Sequence, residues 1–101
     1  MSVGTIEFLS IELMVSRRQA ACPVALPSKS GIYADKAEGA ELWDVEGHRY
    51  IDFIGGIGVL NVGHRHPKVV AAIKAQADKV LHTCFGVAQY EPYVELAERL
   101  N

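Results

Sequence analysis

The sequence predicts an α+β fold made of an N-terminal helix, a three-stranded antiparallel meander and two amphipathic helices. Three patterns lead to this prediction. A helical stripe of apolar residues comes first, short strand-like segments with a turn signal follow, and two helical repeats that open with proline come last. With 101 residues, 50% of them apolar and 22% charged, the chain has a globular composition and forms at most one small domain.

The first segment, from Ile6 to about Ala20, is predicted to be helical because apolar side chains recur on one face. Arg17 and Arg18 suit the C-terminal end of such a helix. Residues 22–30 contain two prolines and two serines, which is typical of an irregular linker. We therefore expect an N-terminal helix with its linker over residues 1–30 and a second part over residues 31–101.

The second part begins with the meander, whose strands are predicted at residues 32–34, 40–44 and 49–53. Between the last two strands, Asp44 opens a turn and Gly47 is expected in the left-handed conformation. Trp43, Tyr50 and Phe53 are expected to pack across the strands.

A glycine-rich stretch follows, with four glycines among the ten residues from Ile54 to Gly63. Glycine at this density weakens a strand but permits positive φ and close backbone approach. The stretch is either a plain loop from sheet to helix or a strand exit that borders a ligand pocket. Helices are then predicted over residues 67–81 and 91–100, with Pro67 and Pro92 in their first turns.

The histidines and acidic residues suggest structural rather than catalytic roles. The four histidines are His48, His64, His66 and His82, and they lack the spacing of metal ligands. We expect their side chains to fix turns by donating hydrogen bonds to backbone carbonyls. Asp44 and Glu46 are interpreted as turn formers, and Asp52 as a strand residue. No metal site is predicted.

No lysine is a convincing catalytic residue, because a lysine that binds a carbonyl cofactor needs a desolvated pocket. The lysines, which lie on a polar helix face or beside a strand, are Lys29, Lys36, Lys68, Lys74 and Lys79. Nor does the glycine stretch match a dinucleotide or P-loop motif.

The charge pattern and the cysteines indicate which partners and which cellular compartment to expect. A net charge of −2 with scattered basic residues predicts no nucleic-acid or membrane partner. Cys22 and Cys84 are expected to be free thiols in a reducing cytoplasm. No apolar run reaches the roughly 18 residues of a membrane span.

Several motifs resemble the class III pyridoxal-phosphate aminotransferases. The WDVEG hairpin and the GHRHP turn are similar to that family broadly, whereas GGIGVLN, HTCF and YEPY are similar to its 4-aminobutyrate (GABA) branch. The resemblance covers about nine-tenths of the chain. It implies an N-terminal piece of the fold type I transferase fold, with residues 31–101 as the incomplete start of the small domain.

The resemblance also implies a function. Members of this branch are cytoplasmic homodimers that use pyridoxal 5'-phosphate to move the amino group of 4-aminobutyrate to 2-oxoglutarate, giving succinate semialdehyde and glutamate. The cofactor ligands and the catalytic lysine would lie beyond Asn101, so no catalytic or cofactor-binding residue is expected in this chain. Ile57 matches the family position on the substrate side of the cofactor.

One departure and two alternatives accompany this expectation. Gly86 follows Phe85, where the resembled enzymes often carry glutamine, which bears on substrate choice. The amine donor could instead be acetylornithine or another ω-amino acid. A truncated product without activity is the non-enzymatic alternative, and this chain alone is expected to be inactive because it offers no catalytic lysine.

Overall fold

The computed structural model describes residues 8–101 and shows four helical segments and one sheet. The elements are α1 (Ile11–Ala21), β1 (Ala34–Glu38), β2 (Glu41–Asp44), β3 (Arg49–Ile51), α2 (Gly55–Gly58), α3 (Pro67–Ala77) and α4 (Glu91–Leu100). Contacts within the chain divide it between His66 and Pro67 into two units. The first unit holds α1, the sheet and α2, and the second holds α3 and α4.

Helix α1 begins later than the sequence pattern predicted. Ser10 has extended backbone, and its hydroxyl accepts a hydrogen bond from the Leu13 amide at 3.1 Å, which makes it the N-cap. The predicted start at Ile6 lies outside the described residues, and the described residues before Ile11 are not helical. The apolar stripe therefore extended past the true cap, which only the side chain of Ser10 marks.

The three strands form the predicted antiparallel meander in the order β1-β2-β3. The position of the first strand was wrong, because β1 begins at Ala34, the last residue of the predicted strand, and runs on through the mostly polar residues 35–38. This strand lies at the sheet edge, is mostly exposed and carries a register shift between Ala34 and Lys36. An exposed, irregular edge strand has no reason to alternate apolar and polar residues, so its sequence signal is weak.

Of the three aromatic residues expected to pack across the strands, Trp43 and Tyr50 lie opposite a residue of the neighbouring strand, whereas Phe53 does not. Trp43 pairs with Arg49 across the sheet and has the Lys36 ammonium 5.1 Å from its ring centroid. Tyr50 pairs with Leu42. Phe53 lies beyond β3 and is exposed. The aromatic side chains that do cluster belong to the second unit, where the Phe85 and Tyr93 rings stack at 4.1 Å.

The hairpin between β2 and β3 is organised by one carboxylate. Asp44 is 1% exposed and is the only fully buried residue within residues 8–101. It accepts hydrogen bonds from the Glu46 amide, the His48 amide and the Tyr50 hydroxyl, each at 2.9 Å, and from His48 Nδ1 at 3.0 Å. Gly47 has φ of 86°, so its predicted left-handed conformation is confirmed.

Helix α4 matches its predicted range, Glu91–Leu100, whereas α3 ends at Ala77, four residues before the predicted end. After α3 the side-chain amide of Gln76 donates to the Val80 carbonyl at 3.0 Å, which satisfies a backbone acceptor outside the helix. No helix in the described part of the chain is both long and apolar enough to span a membrane.

No apolar side chain among residues 8–101 is fully buried. Large apolar side chains instead face outward in both units, for example Phe53 at 92% and Leu81 at 83% exposure. Large apolar side chains exposed in such number are typical of faces that contact other protein. Polar interactions, chiefly those of Asp44, therefore hold the local structure of the first unit.

The hydrogen bonds of Asp44 make its ionisation a test of the hairpin. Burial alone would raise the pKa of this carboxyl, but the bonds from the His48 amide, Tyr50, the His48 ring and the Glu46 amide outweigh it and lower the pKa to about 2. Because the pKa is depressed in the folded state, the resulting stabilisation is complete above the ordinary aspartate pKa of about 4. It is lost as the pH falls from there through about 2.

We predict that the ¹³Cγ resonance of Asp44 titrates near pH 2 and that the hairpin amides of Glu46 and His48 lose protection over the same range. Asp44→Asn should remove the pH dependence of that protection because its side chain cannot ionise. Asp78→Asn, at an exposed position after α3, is the matched control and should leave it unchanged. An Asp44 titration near pH 4 would contradict the hydrogen-bonded hairpin.

Candidate functional site

A cleft of about 430 Å³ lies in the first unit, where the end of the sheet meets the glycine-rich stretch. Its lining combines bare backbone with two polar side chains and is formed by Gly39, Ala40, Asp52, Gly55, Leu60, Val62, Gly63 and His64. The glycine stretch thus borders a cleft, and its use as the border of a ligand pocket stays a prediction.

Asp52 is the residue that connects the parts of this cleft. Its backbone amide donates to the Ala40 carbonyl at 2.9 Å, just beyond the end of β3. Its Oδ1 accepts from the amides of Ile54 at 3.0 Å and Gly55 at 2.9 Å. Its Oδ2 lies 2.6 Å from His64 Nε2. One carboxylate therefore ties the sheet, the start of the glycine turn and His64 together.

The charge state of Asp52 follows from these contacts. The Gly55 amide is the largest influence and lowers the pKa of Asp52, and the hydrogen bond with the His64 ring lowers it further. A carboxylate accepts hydrogen bonds only, so His64 donates through Nε2. Asp52 and His64 are both partly buried, with side-chain exposures of 14% and 19%, which strengthens their interaction relative to a fully exposed pair.

His64 is also fixed through its backbone. It forms an isolated antiparallel bridge with Gly39, in which the Gly39 amide donates at 3.0 Å and the His64 amide donates at 2.8 Å. Gly63, directly before His64, has φ of 79° and packs against the same residue. A Cβ atom at Gly63 would lie 3.0 Å from the Gly39 carbonyl oxygen, so only glycine fits this approach.

The segment Gly55–Gly58, hereafter the glycine turn, carries the most strained backbone of the site. All four of its residues have positive φ, and one of them, Ile57, has a side chain. Its φ of 64° and ψ of 60° are left-handed, which costs an L-residue about 1–2 kcal/mol. β-Branched residues are especially rare there.

Ile57 also projects into open space, with 79% of its surface exposed. A strained, exposed, apolar side chain contributes little to local packing. Such backbone strain is concentrated at functional sites, where the surrounding structure holds it in place. Ile57 does not itself line the cleft, and its role as a substrate-binding residue stays a prediction.

Histidines and acidic residues singled out in the sequence take part in hydrogen bonds that hold turns. His48 and His64 bind the carboxylates of Asp44 and Asp52 through their rings, so the expectation that their side chains donate to carbonyls was wrong. A carboxylate is a stronger acceptor than a neutral carbonyl. Asp44 and Glu46 form the hairpin turn as predicted, whereas Asp52 lies just after β3 instead of within a strand.

The sequence did not reveal the Asp52–His64 pair or the part of Gly39. The two side chains are 12 residues apart and Gly39 belongs to the turn before β2, so no short motif joins them. The one available signal was the glycine content of the stretch between Asp52 and His64. In residues 8–101, no group of three or more potential metal ligands comes together.

Pyridoxal 5'-phosphate, which the resembled family uses, does not fit the residues described. All five lysines of the chain are exposed, so none has the desolvated surroundings of a lysine that binds this cofactor. The cleft presents the Asp52 carboxylate, whose negative charge repels a phosphate group, and no lysine or arginine lines it. The described residues therefore supply no cofactor site.

The chain belongs to the class-III aminotransferase family, whose family model matches residues 25–101. It is 54% identical over 89 residues to the 5-aminovalerate aminotransferase of Pseudomonas aeruginosa. The aligned residues make up 88% of this chain and 21% of that protein. It is also 54% identical over 88 residues to the 4-aminobutyrate aminotransferase of Escherichia coli, with 87% and 21% covered. The chain thus spans about a fifth of the length of these relatives.

Solved structures agree with this assignment. The taurine:2-oxoglutarate aminotransferase of Bifidobacterium kashiwanohense, solved with pyridoxal phosphate and glutamate, has a TM-score of 0.76 and 33% identity, covering 94% of this chain and 22% of that one. The N-acetylornithine aminotransferase of Stenotrophomonas maltophilia has a TM-score of 0.71 and 34% identity, covering 85% and 21%. The predicted fold class, a piece of the pyridoxal-phosphate transferase fold, is confirmed.

The close approach at Gly63 gives a prediction for the site. Gly63→Ala should lower the free energy of unfolding by more than about 1 kcal/mol, since it adds both positive-φ strain and a clash with the Gly39 carbonyl. Gly58→Ala is the matched control, because Gly58 has φ of 72° but no atom within 4 Å of an added Cβ. Denaturant unfolding of the two variants should separate the clash from the strain. Equal losses of stability would contradict the Gly39–Gly63 contact.

Proposed function

We propose that this chain is the N-terminal segment of a transaminase that moves the amino group of 4-aminobutyrate to 2-oxoglutarate, giving succinate semialdehyde and glutamate. The observation that carries this proposal is the 54% identity to 4-aminobutyrate and 5-aminovalerate aminotransferases. Both of those relatives are named for ω-amino acids with an unbranched methylene chain. The complete enzyme would be a cytoplasmic homodimer, and no nucleic acid or membrane enters its proposed activity.

Pyridoxal 5'-phosphate is the cofactor of this proposed reaction and would act as the electron sink for the amino group. Because the described residues do not fit it, its ligands and the catalytic lysine are assigned to other parts of the complete enzyme. The role proposed for this segment is to form a wall of the active site. The 101-residue chain alone is therefore expected to lack transaminase activity.

Ile57 is the substrate-binding residue that we propose within this wall. Its stiff, apolar side chain stands on the glycine turn without neighbouring side chains at Gly56 and Gly58. In that position it would contact the methylene chain of the amino-acid substrate and exclude water from it. The left-handed backbone of Ile57 supports this role, because backbone strain of this kind is concentrated at functional sites.

Acetylornithine is a second candidate substrate. The acetylornithine aminotransferase of Methanocaldococcus jannaschii is 48% identical to this chain over 65 residues. The resembled 4-aminobutyrate enzymes often carry glutamine after the phenylalanine, whereas this chain has Gly86 after Phe85. This difference is compatible with another amine donor. This alternative keeps the reaction class and changes only the amine donor.

A chimeric enzyme tests the proposed function. In this chimera the chain replaces its aligned segment of 88 residues in the E. coli 4-aminobutyrate aminotransferase. We expect it to form glutamate from 4-aminobutyrate and 2-oxoglutarate, while the 101-residue chain alone does not. Acetylornithine and 5-aminovalerate are assayed as competing donors. A folded chimera that retains pyridoxal phosphate but turns over none of these donors would contradict the proposal.

Variants of Ile57 in the chimera test the assigned site residue. Ile57→Ala and Ile57→Gln should change the ratio of kcat/KM between 4-aminobutyrate and 5-aminovalerate by about tenfold, because one methylene in an apolar pocket is worth about 1–3 kcal/mol. Val59→Ala, at an exposed position after the glycine turn, is the control and should leave the ratio unchanged. A large fall in melting temperature with an unchanged donor ratio would identify Ile57 as a core residue.

A further inference from the structure

We propose that Asp52 and His64 form a positioning pair that holds the glycine turn in its strained conformation and thereby sets the selectivity of the site for substrate length. This inference rests on the proposed function, since it concerns the segment that presents Ile57. Neither side chain is assigned contact with substrate. Both act through the backbone that they fix.

The glycine turn requires outside support. Four successive residues with positive φ include the β-branched Ile57, and within the turn region only short-range backbone bonds close the structure. The Gly58 amide donates to Ile54 at 2.8 Å, and the Val59 amide donates to Gly55 at 3.0 Å. Glycine readily populates other conformations, so these bonds alone leave many alternatives.

Asp52 supplies the support at the start of the turn. Its Oδ1 binds the amides of both Ile54 and Gly55, which fixes the direction in which the chain enters the turn. The carboxylate could rotate about its side-chain bonds if nothing held the other oxygen. His64 Nε2 at 2.6 Å holds that oxygen, so both carboxylate oxygens are occupied.

His64 is in turn tied by backbone hydrogen bonds to the turn that precedes β2. Its backbone forms the two-way bridge with Gly39, and Gly39 precedes β2 by two residues. The Asp52 amide binds Ala40 in the same turn. The pair therefore transmits the position of the sheet to the glycine turn through a closed ring of hydrogen bonds.

The chain provides a matched control for this pair. Asp44 and His48 form a second carboxylate–imidazole contact, with Nδ1 3.0 Å from Oδ2, but the other hydrogen bonds of the Asp44 carboxylate stay within the β2–β3 hairpin. Removing His48 should therefore cost hairpin stability without moving the glycine turn. Loss of either member of the Asp52–His64 pair should lower stability and also displace the glycine turn.

The experiment uses five variants of the chimeric enzyme: Asp52→Ala, Asp52→Asn, His64→Ala, His64→Gln and His48→Ala. Two quantities are measured for each. One is the ratio of kcat/KM for 4-aminobutyrate and 5-aminovalerate, and the other is amide hydrogen exchange of residues 54–59 by mass spectrometry. Asparagine at 52 can still accept from the turn amides and donate to the other tautomer of His64. Glutamine at 64 keeps a nitrogen donor at a similar reach.

We expect the two alanine variants to change the donor ratio by about tenfold and to speed exchange in residues 54–59, because a displacement of about 1 Å in a substrate-facing group changes rates strongly. The asparagine and glutamine variants should restore both readouts to within about threefold. His48→Ala should lower the melting temperature and leave both readouts unchanged. Should His64→Ala fail to fold, His64→Asn takes its place, since its amide is too short to reach Asp52.

Unchanged exchange and donor ratios in the alanine variants would overturn the inference. An equal effect of His48→Ala on the two readouts would also overturn it, as would asparagine and glutamine variants that behave like the alanine variants. Each of these results would show that the readouts respond to a general loss of stability. The exchange measurement tests the pair even in an inactive chimera, whereas inactivity of the unmutated chimera counts against the proposed function alone.

Discussion

The hydrogen bonds of the Asp52 carboxylate are the interaction on which the candidate site depends. They connect the end of β3, the amides that open the glycine turn and the ring of His64. Asp44 connects the residues of the β2–β3 hairpin in the same way, since its buried carboxylate accepts four hydrogen bonds. Charge-assisted bonds of this kind are stronger and more directional than those between neutral groups. Two aspartates thus organise the first unit.

This polar framework takes the place of an apolar core within residues 8–101, where no apolar side chain is fully buried. A small segment buries too little surface to be stabilised by the hydrophobic effect alone. Its outward apolar faces suit a segment whose core is completed by further protein, as in relatives of which it covers about a fifth. The left-handed backbone of Ile57 lies in the glycine turn, whose entry is held by hydrogen bonds from the Asp52 carboxylate.

The parts that the sequence predicted are those with strong local signals. Helix α4 was predicted over its whole length because a proline start and a regular apolar period coincide. The position of Gly47 followed from turn chemistry. Strand β1 was misplaced because an exposed edge strand needs no apolar alternation, and the late start of α1 depended on the hydroxyl of Ser10. Left-handed backbone at Ile57 contradicts the preference of its own side chain, so no local sequence pattern predicts it.

A crystal structure of the chimeric enzyme with glutamate bound would test the central claim most directly. We expect Ile57 to keep positive φ and Asp52 to remain bonded to His64 and the turn amides. The Ile57 side chain should lie within about 4 Å of the bound ligand. An Ile57 side chain packed among apolar residues and remote from the ligand would contradict the account.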